Sequence, residues 1–429
     1  LITTSIQAAN RYWITGTDSN WNNITNWSTT NGGAGGASVP LVTDDVFFNN
    51  NGLGNCLVDI TTTINSINIA ATYSGIIDIN GNSFNIIGLT NNEFAGGTIN
   101  DTPGTSSIII NSTARTRFLG TTFGAIVNAS SARLYLNGSI FNAVCTFTKN
   151  GTGNDASTGG NTFNSTVVIN NSAINYLLLG NTNPDVFNAE LTINNIGTSL
   201  IYLANNSAAN QFNGNIILNS TSGNGIRFGQ GASGTATLAA TKTIAIGGLG
   251  FSAGRLEMAK FTQLGTTTQS LNLTGTSILY LEPNCIWNGN VSISAPRVYL
   301  ESNTFNGTAS FTKTGTSNDY NAGGNTFNST ASMINSAVGH FYFAQTNPDT
   351  FNGDVTLIVS ETGRIYLANV AAGNSFNGNI FLNYITNTNI YIGNSSGTST
   401  LANSKTISVI GAGASGTGGS GSAGLRTRN

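Results

Sequence analysis

Charge is what this sequence has least of. Its 429 residues carry 15 Lys and Arg, 17 Asp and Glu and a single histidine, so 7% of positions are charged and the net charge is −2. Nucleic acid binding is excluded on that ground, because phosphate neutralisation needs clustered Lys and Arg. The lone histidine, His340, has no partner histidine or cysteine near it in sequence. Cys56, Cys145 and Cys285 form neither an even disulfide set nor a metal-ligand spacing, so they are expected as small core residues. No cofactor or metal motif is present. No apolar run approaches the roughly 18 residues a membrane helix needs, which argues against membrane insertion.

What is abundant is Gly (53), Phe (22), Asn, Thr and Ser. A phrase close to Phe-Asn-Gly returns throughout. It occurs at Phe141, Phe163, Phe187 and Phe212, spaced by 22, 24 and 25, and again at Phe305, Phe327, Phe351 and Phe376 with the same spacings. A shift of 164 carries the first set onto the second. A long repeat with a shorter period nested inside it marks a stacked array. After each phrase the residues alternate apolar and polar, as in Ile216-Ile217-Leu218-Asn219, which is a strand signal. Asn-Gly is expected to turn the corner, with glycine supplying positive φ. A second strand per coil ends in phrases such as Ile201-Tyr202-Leu203 and Ile365-Tyr366-Leu367. Short strands of this kind bury nothing alone and form a continuous core when stacked. The fold class is therefore all-β, a parallel β-helix or β-solenoid, with each phenylalanine stacked on its copy and the asparagines in a corner ladder.

Residues 1–60 read as an atypical cap, because three of the four tryptophans (Trp13, Trp21, Trp27) fall there; an aromatic sugar-binding cluster is the alternative. Residues 1–10 could also be the end of a secretory signal. The solenoid is expected over 61–412, with repeat copies at about 117–246 and 281–410, and three coils without the phrase between Phe212 and Trp287. Residues 413–429 read as the start of a further coil of a longer chain.

The run Arg11-Tyr12-Trp13-Ile14, Asn20-Trp21, Asn26-Trp27-Ser28, Gly35–Pro40 and Asp45-Val46-Phe47-Phe48 resembles the opening of modules in very large repetitive surface proteins of Bacteroidota, the gliding-motility adhesins among them. Phe311-Thr312-Lys313-Thr314-Gly315 is similar to their repeats. The resemblance is one of repeat style and covers most of the chain. It implies export to the extracellular surface and an adhesive role as part of a longer protein, and it carries over no functional residue.

In the Ile-Tyr-Leu strands the central residue should face outward. Following it gives Tyr280, Tyr299, Tyr320, Tyr342, Tyr366 and Tyr391, a tyrosine stripe, whereas the first copy has Tyr135, Ala156, Leu178, Tyr202 and Arg227. Stacked rings stabilise neighbouring coils; an exposed stripe would equally serve as a track for a glycan or another extracellular ligand. A non-enzymatic adhesin or structural rod is the leading expectation. A polysaccharide-processing β-helix enzyme would need clustered carboxylates with Lys or Arg nearby, and the acids are scattered in sequence, with Asn183-Pro184-Asp185 and Asn347-Pro348-Asp349 reading as turns. Asp44-Asp45 reads as a loop end or a calcium site. An ice-binding solenoid would need a regular Thr-x-Thr array, of which only isolated cases occur.

Overall fold

Alternation in short strands decides the architecture. In strand after strand, residues alternate between the interior and the surface, as in Ala309–Lys313 and Val355–Val359. The computed structural model describes residues 8–385, 388–410 and 426–427; residues 1–7 of the expected signal and most of the expected 413–429 tail lie outside these. Its strands pair in parallel into stacked sheets, a β-solenoid with three strands per coil. The chain divides into two compact units, Leu1–Asn213 and Gly214–Asn429.

In the first unit one face carries Thr122–Phe123, Ile140–Phe141, Thr162–Phe163, Val186–Phe187 and Asn210–Phe212, paired in that order. A second face carries Cys145–Lys149, Val167–Asn171 and Leu191–Asn195. The third carries Asp155–Ala156, Leu177–Leu178 and Ile201–Leu203. Two long strands, Ser107–Phe118 and Ile126–Leu136, run from the second face into the third, and their register shifts between Ser112 and Arg115. The second unit repeats the scheme. Thr304–Phe305, Thr326–Phe327, Thr350–Phe351 and Asn374–Phe376 form its first face, and Val291–Ala295 through Ile380–Tyr384 its second. Its third face runs from Gly225–Phe228 to Ile390–Ile392.

Phenylalanines fill the interior. Phe141, Phe163, Phe187 and Phe212 stack at 5.1, 4.8 and 5.2 Å, and Phe305, Phe327, Phe351 and Phe376 at 5.0, 4.8 and 5.1 Å. All eight are buried. Outside each ring the asparagine amide donates to the carbonyl of the asparagine one coil back, at 2.7–2.9 Å in Asn164–Asn142, Asn188–Asn164 and Asn213–Asn188. The same ladder joins Asn288, Asn306, Asn328, Asn352 and Asn377.

The glycine of the phrase departs from expectation. Gly307, Gly353 and Gly378 do not use positive φ; a Cβ on them would lie 2.5, 2.4 and 2.3 Å from the backbone of the coil beneath. Glycine is required there because coils stacked at strand spacing leave no room for a methyl group.

At the N-terminal end Trp13, Trp21 and Trp27 are fully buried and pack edge-on, Trp13–Trp27 at 5.2 Å and Trp21–Trp27 at 4.7 Å. They form core rather than a surface cluster. Trp27–Ser28 pairs antiparallel with Asn10–Trp13 and ends the sheet, a closure that covers the first coil. Parallel pairing already begins inside the expected cap, with Asn10–Trp13 on Asp45–Phe48 and Ser19–Asn20 on Cys56–Leu57. Cys56, Cys145 and Cys285 are buried and free.

Candidate functional site: the tyrosine face

The third face of the second unit carries the six tyrosines in two registered runs. Tyr280 pairs with Tyr299, Tyr320 with Tyr342, Tyr342 with Tyr366 and Tyr366 with Tyr391. Ring centroids are 4.3 Å apart for Tyr280–Tyr299, and 4.6, 4.3 and 4.7 Å through Tyr320, Tyr342, Tyr366 and Tyr391, with planes within 13° of parallel. The stripe is thus two stacks, since no ring contact joins Tyr299 to Tyr320 among the described residues. The break has a local cause. Between these coils the side chains of Asp319 and Asn321 accept from Val298 N and Leu300 N, at 2.9 and 2.6 Å, in place of backbone carbonyls.

The rings are stacked in register, the first of the two expected arrangements. Each ring lies flat on the next, so edges and hydroxyls meet solvent. Tyr320, at the start of its stack, is 52% exposed, whereas Tyr366, sandwiched between two rings, is 8% exposed although it points outward between buried Ile365 and Leu367.

Two residues before each tyrosine runs a second outward column. From it Arg364 Nη1 donates to Tyr366 OH at 3.3 Å, Asn318 Nδ2 to Tyr320 OH at 3.3 Å, Asn389 Nδ2 to Tyr391 OH at 3.2 Å, and Arg297 Nη2 to Tyr299 OH. Arg255 lies 4.9 Å from the Tyr280 ring centre and Arg364 5.7 Å from that of Tyr391, the geometry of cation–π contact. With its oxygen accepting from a neighbour, each of these hydroxyls keeps its proton to donate outward. Burial, then the neighbouring tyrosines, pushes Tyr342 up to about 12. His340 starts the Phe341–Tyr342 strand; burial and then Arg364 and Lys313 hold its pKa below the ordinary value, and its Nδ1 accepts from Arg364 N at 3.2 Å.

Sequence spacing missed one constellation. Glu257, 3% exposed, forms an ion pair with Arg227 at 3.0 Å and lies beside Glu282, to which Gln230 Nε2 donates at 3.2 Å. Burial first, then Glu282, pushes Glu257 up to about 7. The acids are therefore not all scattered: registry places Arg227, Glu257 and Tyr280 in one column. The step from Arg227 to Glu257 is 30 residues, longer than the 22 to 25 of the Phe-Asn-Gly phrase, so the repeat spacing did not reveal it.

The remaining acids of interest are held inside. Asp319 is fully buried between Arg297 at 3.2 Å and Lys313 at 3.8 Å, and Asp155 between Arg133 at 2.8 Å and Lys149 at 3.8 Å, the same triad 164 residues apart. Burial pushes Asp319 up to about 6. Asp185 and Asp349, in the expected connections between strands, are buried and accept from the backbone and side-chain amides of Asn161 and Asn325. Asp44 accepts from Ala9 N and Leu41 N and pairs with Arg11 at 3.4 Å. Asp45 accepts from Asn65, Ser66 and Thr90. Beside the asparagine ladder, Thr304, Thr326, Thr350 and Ser375 align in register on the first face, so the column is Thr-x-Asn rather than Thr-x-Thr. No helix among the described residues is long and apolar enough to cross a membrane.

Comparison of the chain with protein-family models, with curated proteins and with solved structures gives no match.

Proposed function

We propose that this chain is a non-enzymatic structural segment of an exported, surface-attached adhesive protein, and that the tyrosine face of its second unit is the contact surface for a glycan. The observation that carries the reading is the column from Tyr320 to Tyr391. Four rings are held in register on successive coils, and three of their hydroxyls accept from Asn318, Arg364 and Asn389. A rigid row of amphipathic side chains with outward donors contacts a ligand at low entropic cost. Hydroxyl-rich polymers suit a row of donors repeated at coil spacing. Resemblance to the repetitive adhesins of Bacteroidota supports the surface role and a place within a longer chain.

A glycan array probed with the full chain and with Tyr342→Ala tests this. Binding by the parent and its loss in a variant that still unfolds cooperatively supports the reading. Equal binding by both removes the tyrosine face from the function.

A second reading, glycan cleavage, is favoured by the Glu257–Glu282 pair with Arg227 beside it, the clustering such chemistry needs. Against it, Glu257 is almost wholly enclosed. Depolymerisation of acidic and neutral polysaccharides that disappears in Glu282→Gln would establish it in place of the adhesive role.

A further inference from the structure

The first unit holds a cleft of about 410 Å³ on its own surface, lined by Asn91, Thr113, Arg115, Arg133, Thr152 and Gly153 among others. It lies where Ser107–Phe118 and Ile126–Leu136 bend from one face to the next. The register shift between Ser112 and Arg115 leaves Arg115 opposite Arg133 on the adjacent coil. Two guanidinium groups one strand spacing apart repel unless something anionic lies against them.

The electrostatics of this pair are unequal. Arg133 donates from Nε to Asp155 Oδ1 at 2.8 Å and from Nη2 to Asn154 O at 2.8 Å and to Tyr135 OH. Asp155 is fully buried beneath it and is shared with Lys149, which is also fully buried. One carboxylate therefore faces two cations, and the triad keeps a positive charge. Arg115 adds another: its Nε is shielded from solvent and has no hydrogen-bond partner among the described residues. The nearby Arg117 is already paired with Glu93 at 3.0 Å. The cleft thus has excess positive charge, an Arg115 Nε with no partner among the described residues, and the polar groups of Asn91, Thr113 and Thr152 around it.

We infer that this cleft binds the anionic group of an acidic glycan, a uronate carboxylate or a sulfate ester, with Arg115 as the principal contact. Arginine suits both, since its planar fork pairs with either oxyanion through two hydrogen bonds. The volume exceeds what a lone ion fills and is within the range of small-ligand sites, and the asparagine and threonines supply partners for ring hydroxyls.

The test is isothermal titration of the full chain with three probes: trigalacturonate, a sulfated galactose trisaccharide, and neutral galactotriose. Binding of at least one acidic probe, weakened by added salt and absent with the neutral trisaccharide, is expected. The two acidic probes separate carboxylate from sulfate. Arg115→Gln should weaken that binding by roughly tenfold or more, and Arg115→Lys by less, with the urea midpoint of both unchanged. Binding of the neutral probe as tightly as the acidic ones, no binding of either acid, or an Arg115→Gln variant that binds like the parent would each overturn the inference.

Discussion

Asp349 offers the sharpest test of how this solenoid holds polar groups in its interior. It is 1% exposed, and one carboxylate oxygen accepts from Asn325 N at 2.8 Å and Asn325 Nδ2 at 3.0 Å. The other oxygen, Oδ2, has no hydrogen-bond partner among the described residues. Burial outweighs the two bonds and pushes the group from 3.8 up to about 6. An acid whose folded pKa is raised binds its proton more tightly in the folded than in the unfolded chain. Stability is then greatest below the unfolded value, falls as pH rises from about 4 to about 6, and carries the full cost above that. A shift of roughly two units corresponds to about 3 kcal/mol. Asp349→Asn keeps the acceptor and removes the charge, so it should match the parent near pH 3.5 and exceed it by about 3 kcal/mol at pH 7.5. Urea unfolding of both proteins at half-unit pH steps measures this, and subtracting the two curves cancels every other titrating group. Asp185, pushed to about 6 in its own buried corner, should behave likewise, and the two effects should add because they share no partner. A variant less stable than the parent at pH 7.5, or a difference that does not change with pH, would refute the reasoning.

Breaking the buried triad should be costly: Asp319→Asn leaves Lys313 unpaired in the interior and is expected to lose about 3–5 kcal/mol by urea unfolding, with Lys313→Met added to it restoring a large part. Phe327→Ala removes the ring between Phe305 and Phe351 and should cost about 3–5 kcal/mol, whereas the exposed Asn328→Ala should cost about 1 kcal/mol or less. Gly378→Ala should destabilise by about 1–3 kcal/mol, because its methyl group would meet the Gly353 backbone at 2.3 Å; a neutral result in thermal unfolding would show that the coils separate freely. Tyr342→Ala should lower stability by about 1–2 kcal/mol through the lost stacking on Tyr320 and Tyr366 and the lost edge contact with His340 while abolishing glycan binding on an array.

The phenylalanine core and the tyrosine column were legible because strand alternation is local and coil length is written in the spacing of Phe-Asn-Gly. Tyr342 and Tyr366 could be placed over one another from the period alone. What the period did not carry was the consequence of stacking. The stacked rings offer edges rather than faces to solvent, and Tyr366 is nearly enclosed by its neighbours. Gly307, Gly353 and Gly378 are needed for clearance between coils, which no turn rule for a single chain segment anticipates. Glu257 and Glu282 are 25 residues apart with no shared motif, and Asp349 sits in a tripeptide typical of turns.

By itself, the sequence determined the repeat, the parallel strands and the inward or outward sense of each side chain, since these depend on nearest neighbours along the chain. Only the tertiary structure decided which polar groups are enclosed together. Arg297 with Asp319, Glu257 with Glu282 and Arg115 with Arg133 meet across coils, and what each can bond to depends on the solvent those coils exclude.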